Sequence, residues 1–516
     1  MEPSSELDAS QSQAVHADAG PLIVAAGPGT GKTRVFSHRV ARLIRDLHAS
    51  PRSILAVTFT RSAAAEMRGR IRGLLAGSGA DLGELWIETC HAAAFRILRE
   101  EAYPYQGEFS ILREEDKPGL LEGLLPSSER ASLLDEIRGL KQGLQWPQSG
   151  PALAFQQRLQ ERRLLDFDDL FLFVLRLFDE KPESLKRWRQ RFDHVIMDEF
   201  QDTSLAQYRF ISRLAGEDFC VIGDPDQSIY GFAATPFSPF AQFRRDHPGC
   251  RVLSLTENYR SQAVILDAAK QVIARNRAQV PRCLRARLQR GLPVDISGHQ
   301  SDRQEAEMIA RRVEGLLGGA SRFTVDSGWA QTGEEARCHG LADIAILYRL
   351  NAQARLFETA LERAGLPYVT YGKKIKKDGV LIDEAEDLED FRDSETAAPR
   401  GEAITLMTVH RAKGLEFPVV FLTGCEDGVL PFRRAADGRR AEPRIEEERR
   451  LFYVGMTRAR QRLFISYARQ RFLFGKTLKL APSAFVADIA EELRRIQEQE
   501  SPPRKRPGLQ PDLFNL

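Results

Sequence analysis

The run Leu22-Ile-Val-Ala-Ala-Gly-Pro-Gly-Thr-Gly-Lys-Thr33 constrains this chain more than any other feature. An apolar, β-branched stretch enters a glycine-rich turn, and Gly31-Lys32-Thr33 then opens a helical segment. Small residues let backbone N–H groups approach a phosphate, while Lys32 supplies charge to the β- and γ-phosphates and Thr33 a hydroxyl for Mg²⁺. The spacing is that of a phosphate-cradling loop whose first glycine position holds Ala26. Gly27, Pro28, Gly29, Thr30 and Gly31 are the expected cradle for ATP, with Arg34 just behind it. A glycine turn that binds nothing is the bland alternative, and the strand in front argues against it.

Other short apolar runs extend the pattern at 54–59, 195–197 and 219–222, and a second series follows at 343–347, 404–408, 419–422 and 463–466. Ala-, Leu- and Arg-rich helical stretches such as 62–75 and 446–459 lie between them. Strand–helix alternation predicts α/β layers with doubly wound parallel sheets, and two separated series predict two such core domains, 1–255 and 256–500. The stretch from about 109 to 165 reads as a helical insertion within the first. The polar stretch 321–340 reads as a loop, 373–401 as a charged connector, and a helix is expected to end near residue 500. The tail 501–516, rich in proline and charge, is expected to be disordered.

Composition removes several alternatives. The six cysteines include no C-x-x-C pair, so neither a disulfide scaffold nor a zinc site is expected. There is no apolar run of about 18 residues and no secretory core in the N-terminal MEPSSELDAS, which predicts a soluble, cytoplasmic protein with no membrane partner. With 74 Lys+Arg against 72 Asp+Glu the net charge excludes little, because a nearly neutral protein binds nucleic acid if its cations line one groove.

Two more strand ends carry chemistry. The run 195–197 ends in Asp198-Glu199, where Asp198 suits Mg²⁺ and Glu199 suits the orientation and deprotonation of an attacking water. The run 219–222 ends in Gly223-Asp224-Pro225-Asp226-Gln227. In a parallel sheet such ends gather at one edge, which brings Gln227 toward the γ-phosphate.

The motifs continue in order: LDASQSQAV (7–15), AVTFTRSAAAEM (56–67), TCHAAAFRIL (89–98), DFDDL (166–170), MDEFQDT (197–203) and GDPDQSIYGF (223–232). LTENYRS (255–261), LYRLNAQAR (347–355), TLMTVHRAKGLEFPVV (405–420) and EEERRLFYVGMTRAR (446–460) follow. Taken together they resemble the superfamily 1 DNA helicases of the UvrD/Rep/PcrA type, over nearly the whole chain. The resemblance implies two RecA-like P-loop domains. It further implies that Gln11 reads adenine, Tyr259 stacks on it, Glu416 binds the ribose, and Arg260 and Arg458 reach the γ-phosphate from the second domain. Phe59, Tyr230 and Phe232 would lie under DNA bases, and His91, Arg349, Thr408 and His410 would line the same groove.

The chain also departs from that family. Ala233 stands where the third ATP motif usually has Arg, which implies weaker coupling between nucleotide and DNA sites. Arg61-Ser62 replaces the usual Asn-Lys and implies an altered phosphate contact. Only 32 residues separate Gly372 from Thr405, too few for the 2B subdomain that relatives carry there, whereas a 1B-type insertion at about 106–165 is retained. In the tail, Gln510, Leu513 and Phe514 resemble the peptide with which bacterial replication and repair proteins dock on the sliding clamp.

The expected function is therefore an ATP- and Mg²⁺-dependent translocase or helicase on single-stranded DNA and DNA junctions, acting in repair or replication. Polarity is 3′→5′ by analogy, and a monomer is assumed. Two alternatives stand beside it: a motor partnered with a separate nuclease, and an ATP-gated module that displaces proteins without unwinding.

Overall fold

The computed structural model describes residues 7–229, 237–277, 283–318, 339–372, 402–433 and 441–498. Tyr230, Phe232, Ala233, the connector 373–401 and the tail with Gln510, Leu513 and Phe514 lie outside the described residues, as does most of the 321–340 stretch.

Two parallel sheets organise the chain. The first contains β1 Leu22–Ala26, β2 Ile54–Thr58, β3 Trp86–Thr89, β4 His194–Met197, β5 Asp218–Gly223 and β6 Arg251–Leu255, in the order β3-β2-β4-β5-β1-β6. The second contains β7 Val294–His299, β8 Ile344–Tyr348, β9 Tyr368–Thr370, β10 Ile404–Thr408, β11 Phe417–Leu422, β12 Ala459–Ala468 and β13 Arg494–Glu498, in the order β9-β10-β8-β11-β12-β7-β13.

Alternation along each strand builds a core on both faces. Ile23, Leu55, Val57 and Val195 enter one apolar cluster, while Leu22, Val24, Ile54 and Ala56 enter the other. In the second sheet Ala345 and Leu347 face one cluster, and Ile344, Ile346 and Tyr348 the opposite one. Burial on both sides is why these strands read as unbroken apolar runs. This is the RecA-like, doubly wound α/β architecture, present twice.

Four of the five strands that the sequence did not announce are sheet edges: β3, β6, β9 and β13. Edge strands are covered on fewer sides and tolerate polar residues, so their apolar signal is weak. The fifth, β7, carries the buried Asp295, which accepts from Arg462 at 2.9 Å and Arg495 at 2.7 Å.

Two helix expectations need correction. The helix expected over 446–459 runs from Ala441 to Met456, and Ala459 already begins β12. No long helix leads to residue 500. A short helix Ala484–Ala487 gives way to β13, which pairs in parallel with β7. Arg494 and Arg495 read as helix formers in isolation, but pairing with β7 and the Arg495–Asp295 ion pair override that propensity.

The insertion is not helical to its ends. Ser110–Ile111 and Leu164–Leu165 pair in parallel, closing its entry against its exit. Inside, helices Ser127–Gln142 and Gly150–Glu161 pack Ile137, Phe155 and Leu159 together. Fully buried Lys141 reaches back to Asp166 at 2.7 Å and Asp169 at 2.8 Å, so the insertion is pinned by paired charges rather than apolar area alone. Burial and the charge of Asp166 push Asp169 up to about 7.

Candidate active site

The carboxyl ends of β1, β2, β4 and β5 place the phosphate loop, Phe59, Asp198-Glu199 and Asp224–Gln227 along one edge. The loop needs its glycines for two reasons. Gly29 and Gly31 have φ of +64° and +83°, and a Cβ on Gly29 would stand 2.4 Å from the Cβ of Arg260. Thr30 Oγ1 closes the turn by donating to the Gly27 carbonyl at 2.9 Å. Lys32 and Thr33 begin the helix Lys32–Arg45, whose N-terminus presents unpaired N–H groups to an anion.

The two carboxylates after β4 differ. Burial and the neighbouring Glu199 push Asp198 up to about 7, and its Oδ1 has no hydrogen-bond partner. Burial acts to raise Glu199 too, but Lys32, Lys413 and a hydrogen bond from Gln201 outweigh it and hold it below its ordinary value. Glu199 thus stays an anion, with φ of +48° turning it out of the strand direction. The orphaned oxygen of Asp198, near the Lys32 charge, suits a hydrated divalent cation, the expected Mg²⁺.

Gln201 joins these groups to the next strand. Its Nε2 bonds Glu199 and its Oε1 accepts from the Asp224 N–H at 2.8 Å. Asp224 in turn accepts from Gln227 Nε2 at 2.7 Å, which aims the Gln227 carbonyl oxygen elsewhere. That oxygen receives Arg458 Nη2 at 3.3 Å, a contact between the two sheets. Arg458 also donates to the carbonyls of Val454 at 3.0 Å and Leu415 at 3.1 Å. Burial and the nearby Arg260 lower its guanidinium to about 9, still cationic at neutral pH.

The residues expected to meet adenine and ribose lie at the other end of the loop. Gln11 Nε2 donates to the Thr30 carbonyl at 3.0 Å, and Gln11 is fixed by a reciprocal cap with Asp8. Tyr259, 43% exposed, donates its hydroxyl to Asp8 at 2.8 Å, so ring and amide lie on one side of the cleft. Arg260 is paired with Glu416. Ala26 is the last residue of β1, and Arg34 lies in the first turn of the following helix.

Among the residues expected in the groove, Phe59 and His91 line a small cleft together with Asp198 and Glu199, the carboxylates expected to serve hydrolysis. His91 also packs on Phe167 and Phe171. Arg349, Thr408 and His410 come together at the carboxyl edge of the second sheet. Arg349 is engaged by Glu448 in a two-pronged pair at 2.8 and 3.1 Å, and burial with Arg349 and Lys413 keeps His410 neutral. Thr408 closes a turn by accepting from the Arg411 N–H at 3.4 Å. Arg61 opens the helix Arg61–Leu74 with its side chain exposed.

Several functional contacts escaped the sequence. Lys413 crosses between the sheets, bonding both oxygens of Asp202 at 2.5 and 2.6 Å and the Gln227 carbonyl at 2.8 Å. Asn258 bonds the Pro28 carbonyl at 2.6 Å. Both sit inside motifs already recognised, but only apposition reveals their use. A hairpin of Gln470–Leu473 and Lys476–Lys479 exposes Phe472 and Phe474, at 61% and 62%. Its tip, Phe474-Gly475, has positive φ at both residues, as a two-residue hairpin turn requires. Inward of it, Arg471 is buried between Glu305 and Glu426.

Comparison with known proteins follows the same division. Residues 7–149 and 150–248 match the UvrD/REP helicase N-terminal domain, and residues 253–376 and 383–470 match the UvrD-like helicase C-terminal domain. The ATP-dependent DNA helicase PcrA of Bacillus subtilis is 30% identical over 660 residues, covering 95% of this chain and 86% of the relative. PcrA of Leuconostoc citreum is 29% identical, covering 94% and 84%, and that of Staphylococcus epidermidis 27%, covering 94% and 87%. No helix among the described residues is long and apolar enough to cross a membrane.

Proposed function

The chain belongs to the UvrD/REP helicase family, and on that premise we propose an ATP-dependent DNA helicase driven by closure of the cleft between its two sheets. The observation that carries this reading is the contact of Arg458 with Gln227, a cation from one sheet meeting the polar sensor of the other.

Lys32 and the loop N–H groups hold the β- and γ-phosphates, Glu199 orients and deprotonates the attacking water, and Gln227 senses the γ-phosphate. Thr33 and Asp198 would hold Mg²⁺, which when bound would neutralise phosphate charge. Arg260 and Arg458 bring fixed charge and forked donors to the transferring group, a contribution of about 10³–10⁵ in rate for such fingers. Because both come from the second core domain, hydrolysis requires closure, and closure changes the grip on the strand at Phe59, His91, Arg349, Thr408 and His410. Gln11, Tyr259 and Glu416 make the site specific for an adenine nucleotide.

The exposed aromatic hairpin is the surface that meets duplex, since aromatic faces stack on bases at roughly 1–3 kcal/mol each. Lys476 and Lys479 place positive charge beside the phosphates there. The alignment with the Bacillus relative, 660 residues long against 516 in this chain, is consistent with a motor that lacks the 2B arm. The tail residues Gln510, Leu513 and Phe514 are assigned to a sliding-clamp contact, which deletion of 510–516 would abolish.

ATPase rate with single-stranded DNA, duplex DNA and RNA, with Glu199→Gln as control, tests the whole reading. Strong stimulation by single-stranded DNA, lost at least a hundredfold (about the least effect of removing a general base) in the variant, is expected. Equal stimulation by RNA, or none by DNA, would refute it.

A further inference from the structure

Asn258 is wholly buried, and every polar atom of its side chain is used. Nδ2 donates to the Pro28 carbonyl at 2.6 Å, on the crest of the phosphate loop. Oδ1 accepts from the backbone N–H of Arg260 at 3.1 Å and of Ser261 at 2.9 Å. One planar amide therefore ties the loop that holds phosphate to the backbone that carries Arg260.

The bonding continues toward the other arginine. Ser261 Oγ donates to the Ala459 carbonyl at 2.7 Å, and the Gln262 N–H to the Arg460 carbonyl at 3.0 Å. Arg458 precedes that segment directly. Tyr259 adds a parallel tie, its N–H donating to the Gly29 carbonyl at 2.9 Å. The segments bearing Arg260 and Arg458 thus form one hydrogen-bonded frame, and the Asn258 amide registers that frame on Pro28.

We propose that Asn258 is a positioning residue for phosphoryl transfer, acting through Arg260 by setting its backbone at a fixed offset from the phosphate loop. The proposal rests on the reading of Arg260 as a γ-phosphate ligand. Chemistry explains the residue type. The site needs a donor and an acceptor on one rigid group, which Asn supplies; Asp offers no donor to Pro28 and Ala offers neither. The amide reaches close to the loop backbone, since a Cβ built on Gly29 would stand 3.0 Å from Nδ2. Misplacing a charged group by about 1 Å is enough to cost about a hundredfold in rate. Ground-state binding of ADP, which draws on Lys32, Gln11 and Tyr259, depends on Asn258 far less.

The test uses the full chain with single-stranded DNA and compares Asn258→Ala, Arg260→Ala and the double variant. ATP turnover is measured, together with titrations of ADP and of ADP with aluminium fluoride. Asn258→Ala is expected to lower kcat by about tenfold to a hundredfold while the Kd for ADP stays within about threefold. The preference for ADP–aluminium fluoride over ADP should fall by a similar factor. In the Arg260→Ala background the further loss should be less than about threefold, because interacting sites are not additive.

Full multiplication of the two losses, or equal weakening of ADP and ADP–aluminium fluoride, overturns the proposal by showing general loosening of the loop. If Arg260→Ala alone leaves kcat unchanged, the reading beneath the proposal has failed, and that single variant shows it. Should Asn258→Ala not fold, Ser261→Ala cuts the frame without touching the phosphate loop. It should lower kcat with ADP binding preserved, and unaltered kcat would count against the frame.

Discussion

Arg260 Nε donates to Glu416 Oε2 at 2.5 Å, so two groups assigned to opposite ends of the nucleotide are bonded to each other. The bond occupies one nitrogen of Arg260, Nε, and one oxygen of Glu416, Oε2. Burial acts to raise Glu416, and Arg260, with Arg460 and Arg458, more than offsets it, leaving the carboxyl below its ordinary value.

Glu416→Ala is therefore expected to raise the KM for ATP roughly tenfold, the scale of one charged hydrogen bond, and to keep kcat within about threefold. Single-strand-stimulated ATPase reads both. A kcat loss as large as that of Arg260→Ala would show instead that Glu416 serves to orient the arginine.

The Lys413–Asp202 pair spans the two sheets with both side chains almost fully enclosed. Lys413→Met leaves a buried carboxyl that burial and Glu199 already push up to about 6. Loss of about 3–5 kcal/mol in unfolding free energy is expected, with most of it recovered in Lys413→Met/Asp202→Asn. Denaturant melts of the wild type, Lys413→Met, Asp202→Asn and the double variant settle the matter, and simple additivity would refute it.

Phe474→Ala removes an exposed ring from the hairpin tip and touches no nucleotide contact. Separation of a short tailed duplex should fall about tenfold, consistent with roughly 1–3 kcal/mol of base stacking, while ATPase stays within about twofold. A parallel fall in both rates would place the ring in the motor instead.

Arg471 is shared by two buried carboxylates, and one guanidinium cannot balance both. Burial and Glu305 push Glu426 up to about 7 against an ordinary 4.5, while Glu305 is held below its ordinary value. The folded chain thus keeps a proton on Glu426 that the unfolded chain releases near 4.5. Stability from this group is full below that pH and is lost as pH rises through about 7. Relative to Glu426→Gln, the wild-type unfolding free energy should decline by at most about 3 kcal/mol between pH 4.5 and 7. Parallel pH profiles of the two proteins would rule this out.

What the sequence made legible is what chemistry writes locally. Leu22–Ala26 into Gly27–Thr33, and Val195–Met197 into Asp198-Glu199, are strand ends whose residue types suit the phosphate and water assigned to them. Asn258 and Lys413 stood in plain view, but their partners Pro28 and Asp202 lie about two hundred residues away, and no periodicity records such apposition. The run RFLFGKTLKL after Gln470 gave no sign that Arg471 and Leu473 turn inward while Phe472 and Phe474 meet solvent; only the pairing register decides that. Edge strands such as β9 and β13 were hidden because exposure on one side dilutes their apolar pattern.

The two-residue ladder at 110–111 and 164–165 has a topological consequence. A segment whose first and last residues are bonded neighbours behaves as a plug-in cassette, since excising it leaves ends already side by side and the order of β1 to β6 untouched. Accessory modules can then be exchanged or discarded without rethreading the engine beneath them, with Asp166, Asp168 and Asp169 left to water where Lys141 and Gln142 had met them.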